Sequence, residues 1–323
     1  MRNPTVSIIM PVRNGASLVG DTVQSVLAQS FTDWELLVID DGSTDQTIAV
    51  CEGFADPRIR VLNRNRQGFA RARNAGIEVA RGGLIAFLDA KDIWHPSKLM
   101  LHVIQLCAHS QIDVSFAASQ PIDASGAIAG AASHPRLKHI TPTDILVRNP
   151  LGPSSTAVVR RAALDRAASR DNQDRSRLCW FDESFTQGEE LDLWLRLAIA
   201  HGCRFEGIEG VLTQCRIDRQ GPATNLARQF EAWQRAIEKV QVHAPVFVAR
   251  YRAIAVASQL FGLARRAASQ GDGSFAMSLF RQGVASEPSI LIEAPIQSLR
   301  TVLAALAARW LAPADHGFAA AAA

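Results

Sequence analysis

The 323-residue chain is long enough for one large domain followed by a smaller segment. Hydrophobic residues make up 48% of the sequence and charged residues 20%, which are ordinary values for a globular protein and do not favour a disordered chain. The 34 basic and 31 acidic residues leave a formal net charge of only +3, and no block of Lys or Arg occurs, so the sequence argues against a nucleic-acid partner.

The five cysteines are scattered, and no C-x-x-C pair occurs, which favours a reducing compartment and argues against a disulfide framework or a zinc site. The apolar run before Pro11 is too short for a signal peptide. No uninterrupted apolar stretch reaches the roughly 18 residues needed to cross a bilayer. We therefore expect a cytoplasmic protein, with peripheral contact at the inner face of the membrane as an alternative.

The first third of the chain alternates short apolar runs with helical patterns, which is typical of a parallel sheet with crossover helices. The predicted strands cover residues 6–10, 36–39, 59–62 and 84–88. The predicted helices cover residues 18–27, 43–54, 70–80 and 96–107. Ser43 and Gln46 have the spacing of a capping box at the start of the second helix.

The second half of the chain is predicted to be less regular and then helical. Further strands are predicted at 114–117, 156–159 and 211–216, a surface loop at 170–177, and an amphipathic helix at 189–200. Beyond Gln220 the patterns are helical and rich in alanine. We place a boundary near Gly221, which gives one domain over residues 1–220 and a helical C-terminal extension over 221–323.

Two features of this extension carry predictions. Residues 267–288 have the pattern of a helical hairpin with Gly271 and Gly273 at its turn. Residues 301–312 form an apolar helical run that contains Trp310 and is too short to span a bilayer. We expect this run to pack on the preceding helices, with contact to a membrane surface as the alternative.

Three polar clusters follow predicted strands, at residues 11–14, 40–43 and 89–92. In an open parallel sheet, ligands bind outside the carboxyl ends of the strands. Carboxylates at such ends are costly unless they meet donors or a cation. The clusters therefore predict a binding site at this edge, although Asp40 and Asp41 taken alone would also be explained by a turn. Ser154 and Ser155 lack the G-x-S-x-G context of a hydrolase nucleophile.

Three segments in chain order resemble the signatures of family 2 inverting glycosyltransferases. The first segment covers residues 6–45, starting with VSIIMPVRNG and ending with VIDDGSTD. The second is GFARARNAGIEVARGGLIAFLDAKDIWHPSKL over 68–99, and the third is GEELDLWLRLA over 188–198. The resemblance implies an α/β fold with an open, mostly parallel Rossmann-like sheet of the glycosyltransferase A type. It also implies a nucleotide-diphosphate-sugar donor and transfer with inversion.

The resemblance assigns the donor site residue by residue. Asp41 matches the carboxylate that accepts a hydrogen bond from uracil, and a UDP-sugar is the donor that the family tendency favours. Pro11 and Arg13 match the turn that faces the nucleoside. Arg73 matches a basic residue near the nucleotide, with an exposed helix arginine as the alternative. Asp89 matches the first acid of the family's Asp-x-Asp motif, whose second acid binds a divalent metal.

The sequence departs from the family at that second acid, which is Lys91 here. A protonated lysine cannot bind a cation, yet the leaving diphosphate still needs positive charge opposite it. Three alternatives follow. Lys91 itself supplies the charge; or Asp89 and Asp92 hold Mn²⁺ or Mg²⁺ with Lys91 turned away; or activity has been lost.

A second departure lies in the third signature, where the family usually has Glu-Asp-x-Asp and this chain has Glu189-Glu190-Leu191-Asp192. The resemblance places Glu190 at the position of the general base that deprotonates the acceptor hydroxyl. Its extra methylene would shift the carboxylate by about an ångström. Asp192 is expected to support the acceptor side or the start of the helix, where acids are favourable.

These features predict an inverting glycosyltransferase that moves a sugar from a UDP-sugar to a glycan or lipid-linked acceptor in cell-surface polysaccharide or glycoconjugate synthesis. The alternative is a non-catalytic nucleotide-sugar-binding scaffold that has lost the metal site. Its support is the pair of departures at Lys91 and Glu190.

Overall fold

The fold is built around β1 (Val6–Val12), a strand whose seven residues are all buried. We describe a computed structural model of the protein over residues 3–171, 174–217, 226–293 and 295–311. Side chains alternate along β1, so that Ile9 enters the apolar layer on one face while Ile8 and Met10 enter the layer on the other. A strand covered on both faces is typical of a parallel sheet, and β1 pairs in parallel with the strands on either side.

An eight-stranded sheet and a separate two-stranded hairpin contain the described strands, which are β1 (Val6–Val12), β2 (Trp34–Asp41), β3 (Ile59–Arg64), β4 (Leu84–Phe87), β5 (Ile93–Trp94), β6 (Val114–Ile122), β7 (Ala157–Arg160), β8 (Ser169–Arg170), β9 (Leu178–Cys179) and β10 (Phe205–Arg216). The order in the large sheet is β3-β2-β1-β4-β7-β6-β10-β5. Strands β7 and β5 run antiparallel to their neighbours, and the other pairings are parallel. The predicted mostly parallel α/β fold is therefore confirmed.

Helices cover both faces of the sheet and form the C-terminal part of the chain; they are α1 (Val19–Leu27), α2 (Thr47–Glu52), α3 (Phe69–Val79), α4 (Lys98–Ala108), α5 (Pro142–Arg148), α6 (Arg161–Ala167), α7 (Glu189–Leu195), α8 (Leu226–Gln241), α9 (Pro245–Ser269), α10 (Gly273–Ser286), α11 (Ile290–Glu293) and α12 (Pro295–Leu311). A short 3₁₀ turn covers Ser154–Thr156, and a π turn over Arg196–Ala200 extends α7. The segment 170–177, predicted as a surface loop, joins β8 to β9, and residues 172 and 173 lie outside the described ranges.

The predicted capping box of the second helix is wrong. Helix α2 begins at Thr47, whose N–H donates to the Asp45 carboxylate at 3.1 Å. The Ser43 hydroxyl instead accepts from the backbone N–H of Asn14 at 2.9 Å. Ser43 therefore joins the loops that follow β1 and β2, and the helix starts one turn later than predicted.

The described C-terminal helices contribute to three apolar clusters, the smallest of which joins α9 to α11. Trp233 and Ile237 of α8 and Val248 of α9 belong to the same core cluster as the inner face of α7. The second half of α9 forms a separate cluster with α10 and α12. The predicted boundary near Gly221 lies outside the described residues, and the division at that point stays a prediction.

The predicted helical hairpin is confirmed, since α9 and α10 pack together and the turn between them contains Gly271. In the described part of the chain, α9 is also the one helix long and apolar enough to cross a membrane. Uninterrupted apolar runs in the sequence do not predict such a helix, because charged residues interrupt the apolar residues of α9. The indication is weak, because the core helix of a soluble protein has the same length and composition.

Helix α12 has two different faces. Ser298, Thr301 and Ala305 are buried where α12 packs on α9 and α10, which confirms the predicted docking on preceding helices. Leu299 and Leu303 point outward and are 60% and 55% exposed. The end of the predicted run, Ala312, lies outside the described residues, and contact of the outward face with a membrane stays a prediction.

Helix α3 lies unusually close to the sheet at Gly76. A Cβ added there would stand 2.6 Å from Ile9 Cγ2 and 3.2 Å from Ile39 Cγ1. Both isoleucines are fully buried in strands of the central sheet and have little room to move. The missing side chain therefore sets the depth at which α3, and with it Arg73 one turn earlier, sits on β1 and β2.

We expect Gly76→Ala to lower the free energy of unfolding by about 1–3 kcal/mol, because the added methyl group overpacks the layer between α3 and the sheet. Urea unfolding measures the change. Gly20→Ala in α1 is the matched control, since its Cβ would meet Val50 Cγ1 at an ordinary 3.7 Å. The control should be neutral or stabilising by up to about 1 kcal/mol. Equal stability of the two variants would contradict the close approach.

Candidate functional site

A cleft of about 670 Å³ opens at the carboxyl ends of β1 and β4. Its walls come from the loops after these strands and from the N-terminal ends of α3 and α7. Six of the residues predicted for the site line it, namely Pro11, Arg13, Arg73, Asp89, Lys91 and Glu190. The fold therefore brings together polar residues from all three motif segments, as expected for strand ends at one edge of a sheet.

Arg73 lies at the centre of the polar contacts in this cleft, with only 4% of its side chain exposed. Nη2 donates to Asp89 Oδ1 at 3.0 Å and to Glu190 Oε1 at 2.7 Å, and Nη1 donates to Glu189 Oε1 at 2.5 Å. The predicted alternative of an exposed helix arginine is therefore wrong. One guanidinium joins acids from the end of β4 and the start of α7.

Electrostatics explain why this cluster is compatible with burial. Burial alone would lower the pKa of Arg73, but Glu190, Asp89 and Glu189 outweigh it and raise the pKa above its usual value. Arg73 therefore stays charged. Three acids around one cation leave an excess of negative charge, which a proton, a cation or a positively charged side chain must offset.

Glu190, the predicted base, lies at the start of α7 after Gly188, which adopts a left-handed conformation with φ of 80°. Besides Arg73, it accepts a hydrogen bond from Ser154 Oγ at 2.5 Å. Burial raises the pKa of Glu190 to about 7, and the neighbouring Arg73 acts in the opposite direction. A carboxylate whose pKa lies near neutrality, with 26% of its side chain exposed in a cleft, has the properties of a general base.

Asp192, the second predicted acid of α7, does not line this cleft. It is 1% exposed and forms ion pairs with Arg196 at 2.9 Å and with Lys239 of α8 at 2.7 Å. The prediction that Asp192 supports the acceptor side is not supported, because its carboxylate turns to the opposite side of α7 and joins that helix to α8.

Asp92 does not line the cleft either. Its carboxylate is 2% exposed and accepts from the backbone N–H of Arg216 at 3.0 Å. Burial, with a further contribution from Asp89, raises the pKa of Asp92 to about 7. Because Asp92 is buried and Asp89 faces the cleft, the predicted pairing of Asp89 with Asp92 as metal ligands is not supported.

Lys91 lies between Asp89 and Asp92 in the sequence and lines the cleft. Its backbone carbonyl accepts from Arg216 Nε at 3.1 Å, which fixes the main chain at this point. Within the described residues, no acid forms an ion pair with its ammonium group. The cleft thus contains a partly exposed ammonium group beside a group of acids that are already bound to Arg73.

Asp41 lies in a neighbouring cavity of about 240 Å³, which Arg64, Arg71 and Arg177 also line. Its carboxylate accepts from the N–H of Gln67 at 2.6 Å and from the N–H of Gly68 at 3.0 Å. Asp40 instead closes the turn after β2, by accepting from the backbone N–H of Ser43 at 3.0 Å. The two acids therefore differ in role, and Asp41 is the one that lines this cavity.

The sequence analysis missed the contribution of Ser154 and Ser155. Ser155 Oγ accepts from the backbone N–H of Asp89 at 2.9 Å, while Ser154 contacts Glu190. The short run of small polar residues before β7 was the available signal, but it does not indicate which strand end the turn will meet. Glu189 was predicted as part of the motif without a contact, and the structure places it on Arg73.

The known proteins that this chain resembles in sequence include glycosyltransferases. A model of glycosyl transferase family 2 matches residues 7–167. The UDP-Glc:alpha-D-GlcNAc-diphosphoundecaprenol beta-1,3-glucosyltransferase WfgD of Escherichia coli is 44% identical over 99 residues, which are 30% of this chain and 39% of that protein. The putative teichuronic acid biosynthesis glycosyltransferase TuaG of Bacillus subtilis is 42% identical over 99 residues, with the same coverage of 30% and 39%. The matches thus span well under half of each relative.

Solved structures resemble nearly the whole chain. TarS 1-349 of S. aureus in complex with UDP-GlcNAc has a TM-score of 0.62 at 17% identity, over 95% of this chain and 92% of that one. The mannosyltransferase PcManGT of Pyrobaculum calidifontis, in complex with GDP-Man and Mn²⁺, has a TM-score of 0.59 at 16% identity, over 97% and 89%. The fold is thus of the glycosyltransferase A type, and through residues 7–167 the chain belongs to glycosyl transferase family 2.

Proposed function

We propose that this protein is an inverting glycosyltransferase that uses a UDP-sugar as its donor. The observation that carries the proposal is the cluster in which Arg73 holds Asp89, Glu189 and Glu190 at one wall of the cleft. In this cluster a carboxylate with a pKa near neutrality lines a cleft that Lys91 also lines, and no acid in the described part of the chain forms an ion pair with Lys91. An acceptor hydroxyl and a leaving diphosphate need these two groups, respectively.

The donor site has two parts in this proposal. The uracil base of the donor lies in the cavity beside Asp41. The Asp41 carboxylate accepts three contacts from two backbone N–H groups and retains capacity for a further donor such as a pyrimidine N–H. The diphosphate lies in the adjoining cleft near Pro11, Arg13 and Lys91. The Nε atoms of Arg13 and Arg73 are buried without a hydrogen-bond partner in the described part of the chain, as donors reserved for an anionic ligand would be.

The side chains do not fit a divalent metal. Of the two acids in the segment 89–92, Asp89 lines the cleft and is already bound by Arg73. Asp92 is buried against Arg216, and Lys91 replaces the remaining family ligand. We therefore assign the positive charge opposite the leaving diphosphate to Lys91 and include no metal in the reaction.

The reaction is a single displacement. Glu190 accepts the proton of the acceptor hydroxyl while the acceptor oxygen forms a bond to the anomeric carbon. The bond between that carbon and the diphosphate oxygen breaks, and its electron pair leaves with the diphosphate, opposite Lys91. Attack on the face opposite the diphosphate inverts the anomeric configuration.

The acceptor we propose is a glycan or a lipid-linked saccharide of cell-surface polysaccharide synthesis. The support comes from the two relatives, of which one is a diphosphoundecaprenol-dependent glucosyltransferase and the other is assigned to teichuronic acid biosynthesis. A cytoplasmic location with contact at the inner face of the membrane fits such an acceptor. A non-catalytic nucleotide-sugar-binding scaffold is the second candidate, which the departures at Lys91 and Glu190 favour.

Donor binding provides the first test. We expect UDP to raise the unfolding temperature, and Asp41→Asn to weaken UDP binding by about 1–3 kcal/mol, through loss of a hydrogen bond to a charged acceptor. Titration calorimetry measures the affinity. Asp123→Asn, at a turn outside both cavities, is the matched control and should bind UDP as the parent does. A variant of Asp41 with unchanged affinity would show that the uracil contact is assigned to the wrong residue.

Glu190→Gln tests the base, because it keeps the shape of the side chain and removes the proton acceptor. We expect turnover to fall by about a hundredfold or more while UDP affinity stays that of the parent. UDP release from UDP-glucose and UDP-N-acetylglucosamine measures the turnover. Glu206→Gln, which removes a charge on β10 away from the cleft, should behave as the parent. Full turnover in the Glu190 variant would exclude the proposed role.

Lys91 separates the ammonium mechanism from a metal mechanism. We expect parent turnover to survive a strong chelator, and Lys91→Ala to remove most of it, because the diphosphate loses its nearest cation in a partly dry site. Lys91→Asp restores the family's acid and should make turnover depend on added Mn²⁺ or Mg²⁺. Lys138→Ala on the surface is the matched control.

Two other results would contradict the role of Lys91 or the enzymatic function. A parent enzyme that chelator silences and metal rescues would contradict the role of Lys91. If parent and Lys91→Asp both bind UDP and neither turns over a donor under any condition, the scaffold function replaces the enzymatic one.

A further inference from the structure

The two oxygens of the Glu190 carboxylate have different surroundings. Oε1 receives hydrogen bonds from Ser154 Oγ at 2.5 Å and from Arg73 Nη2 at 2.7 Å. No described residue donates a hydrogen bond to Oε2. Because the Glu190 side chain lines the cleft and is 26% exposed, Oε2 is the oxygen that remains available to a ligand there.

The hydroxyl of Ser154 is held in place by the 3₁₀ turn Ser154–Thr156. Ser154 is fully buried. The turn is fixed because Thr156 Oγ1 donates to the carbonyl of Leu151 at 2.7 Å and Lys98 Nζ donates to the carbonyl of Thr156 at 2.9 Å. Trp94 Nε1 donates to the carbonyl of Ser155 at 3.0 Å. A hydroxyl on a turn with these anchors has little freedom to follow a moving carboxylate.

We infer that Ser154 is a positioning residue for Glu190: together with Arg73 it fixes Oε1, so that Oε2 receives the proton of the acceptor hydroxyl. The inference rests on the proposed function. In the displacement, the proton of the acceptor hydroxyl moves to Oε2, and the diphosphate departs with the electron pair of the broken bond. No role for Ser154 follows from the sequence motifs.

The same contact accounts for glutamate at a position where the family usually has aspartate. Glutamate has one more rotatable bond, which spreads the positions of its carboxylate and costs rate when the reacting atoms are misplaced. Two donors that converge on one oxygen remove much of that freedom. A fixed serine beside the longer side chain therefore compensates for the added methylene.

Ser154→Ala and Ser154→Thr test the inference against the parent. Of UDP-glucose and UDP-N-acetylglucosamine, the donor that raises the unfolding temperature of the protein more is used. The rate of UDP release from it is measured across neutral pH. Ser154→Ala should lower kcat about tenfold or more and leave the donor KM unchanged. The Ser154 hydrogen bond lowers the pKa of Glu190, so its loss raises that pKa and moves the acid limb of kcat/KM to higher pH. Ser154→Thr keeps the hydroxyl and should restore both properties.

Ser7→Ala is the matched control, since Ser7 is a buried serine that donates to a glutamate, Glu35, at 2.7 Å outside the cleft. It should destabilise the protein without moving the acid limb. Parent-like kcat and pH dependence in Ser154→Ala would overturn the inference. Equal impairment of the Ala and Thr variants with an unmoved acid limb would also overturn it, because that is the result expected from lost packing alone.

A double-mutant cycle keeps this test separate from the proposed function. If the parent shows no turnover, or Glu190→Gln retains it, the function assigned to Glu190 fails. The contact is still measured by chemical unfolding of Ser154→Ala, Glu190→Gln and the double variant. Destabilisations that are less than additive support the Ser154–Glu190 contact, and strictly additive ones contradict it.

Discussion

The geometry of the cleft depends on one buried cation, Arg73. Its guanidinium joins an acid at the end of β4 to two acids at the start of α7, which lie more than a hundred positions away in sequence. Removing one partner from a buried ionic cluster leaves an uncompensated charge and is far more costly than losing a surface ion pair. Without Arg73 the acids would repel one another at the point where α7 begins beside β4. The depth of α3, set by the close contact at Gly76, decides whether the guanidinium reaches all three acids.

The two departures from the family make physical sense together. Asp89 is bound by Arg73, and Asp92 is buried against Arg216. Between these two acids in sequence lies Lys91, which has an ammonium group. In the proposed reaction, a cation that is part of the chain takes the place of a cation bound by acids. At the other wall, the same proposal assigns a longer base to Glu190 and its positioning to Ser154, which donates a hydrogen bond to it. Both changes keep the charge and the proton acceptor that glycosyl transfer requires while changing the atoms that supply them.

The C-terminal helices contribute to the site through α7. Lys239 of α8 pairs with Asp192, and a Cβ at Gly188 would stand 3.2 Å from Cβ of Ala232 on the same helix. The side of α7 that faces away from the cleft is therefore bound to α8, which fixes the direction of Glu189 and Glu190. α8 shares one apolar cluster with α7 and the sheet. The part of the chain that the sequence marked as an extension thus supports the helix that carries the proposed base.

Sequence alone predicted seven of the ten described strands, the sheet edge at which the polar clusters meet, and the family, because apolar periodicity and ordered motifs are local properties of the chain. The three strands that it did not predict, β5, β8 and β9, have only two residues each. It also identified Glu190 and Lys91 as the positions that depart from the family. Only the tertiary structure separated Asp89, which lines the cleft, from Asp92, which is buried, although they lie three residues apart. It likewise turned Asp192 away from the site and brought Ser154 to Glu190. These outcomes depend on which distant backbone groups and side chains are nearby after folding, and spacing along the chain contains no record of them.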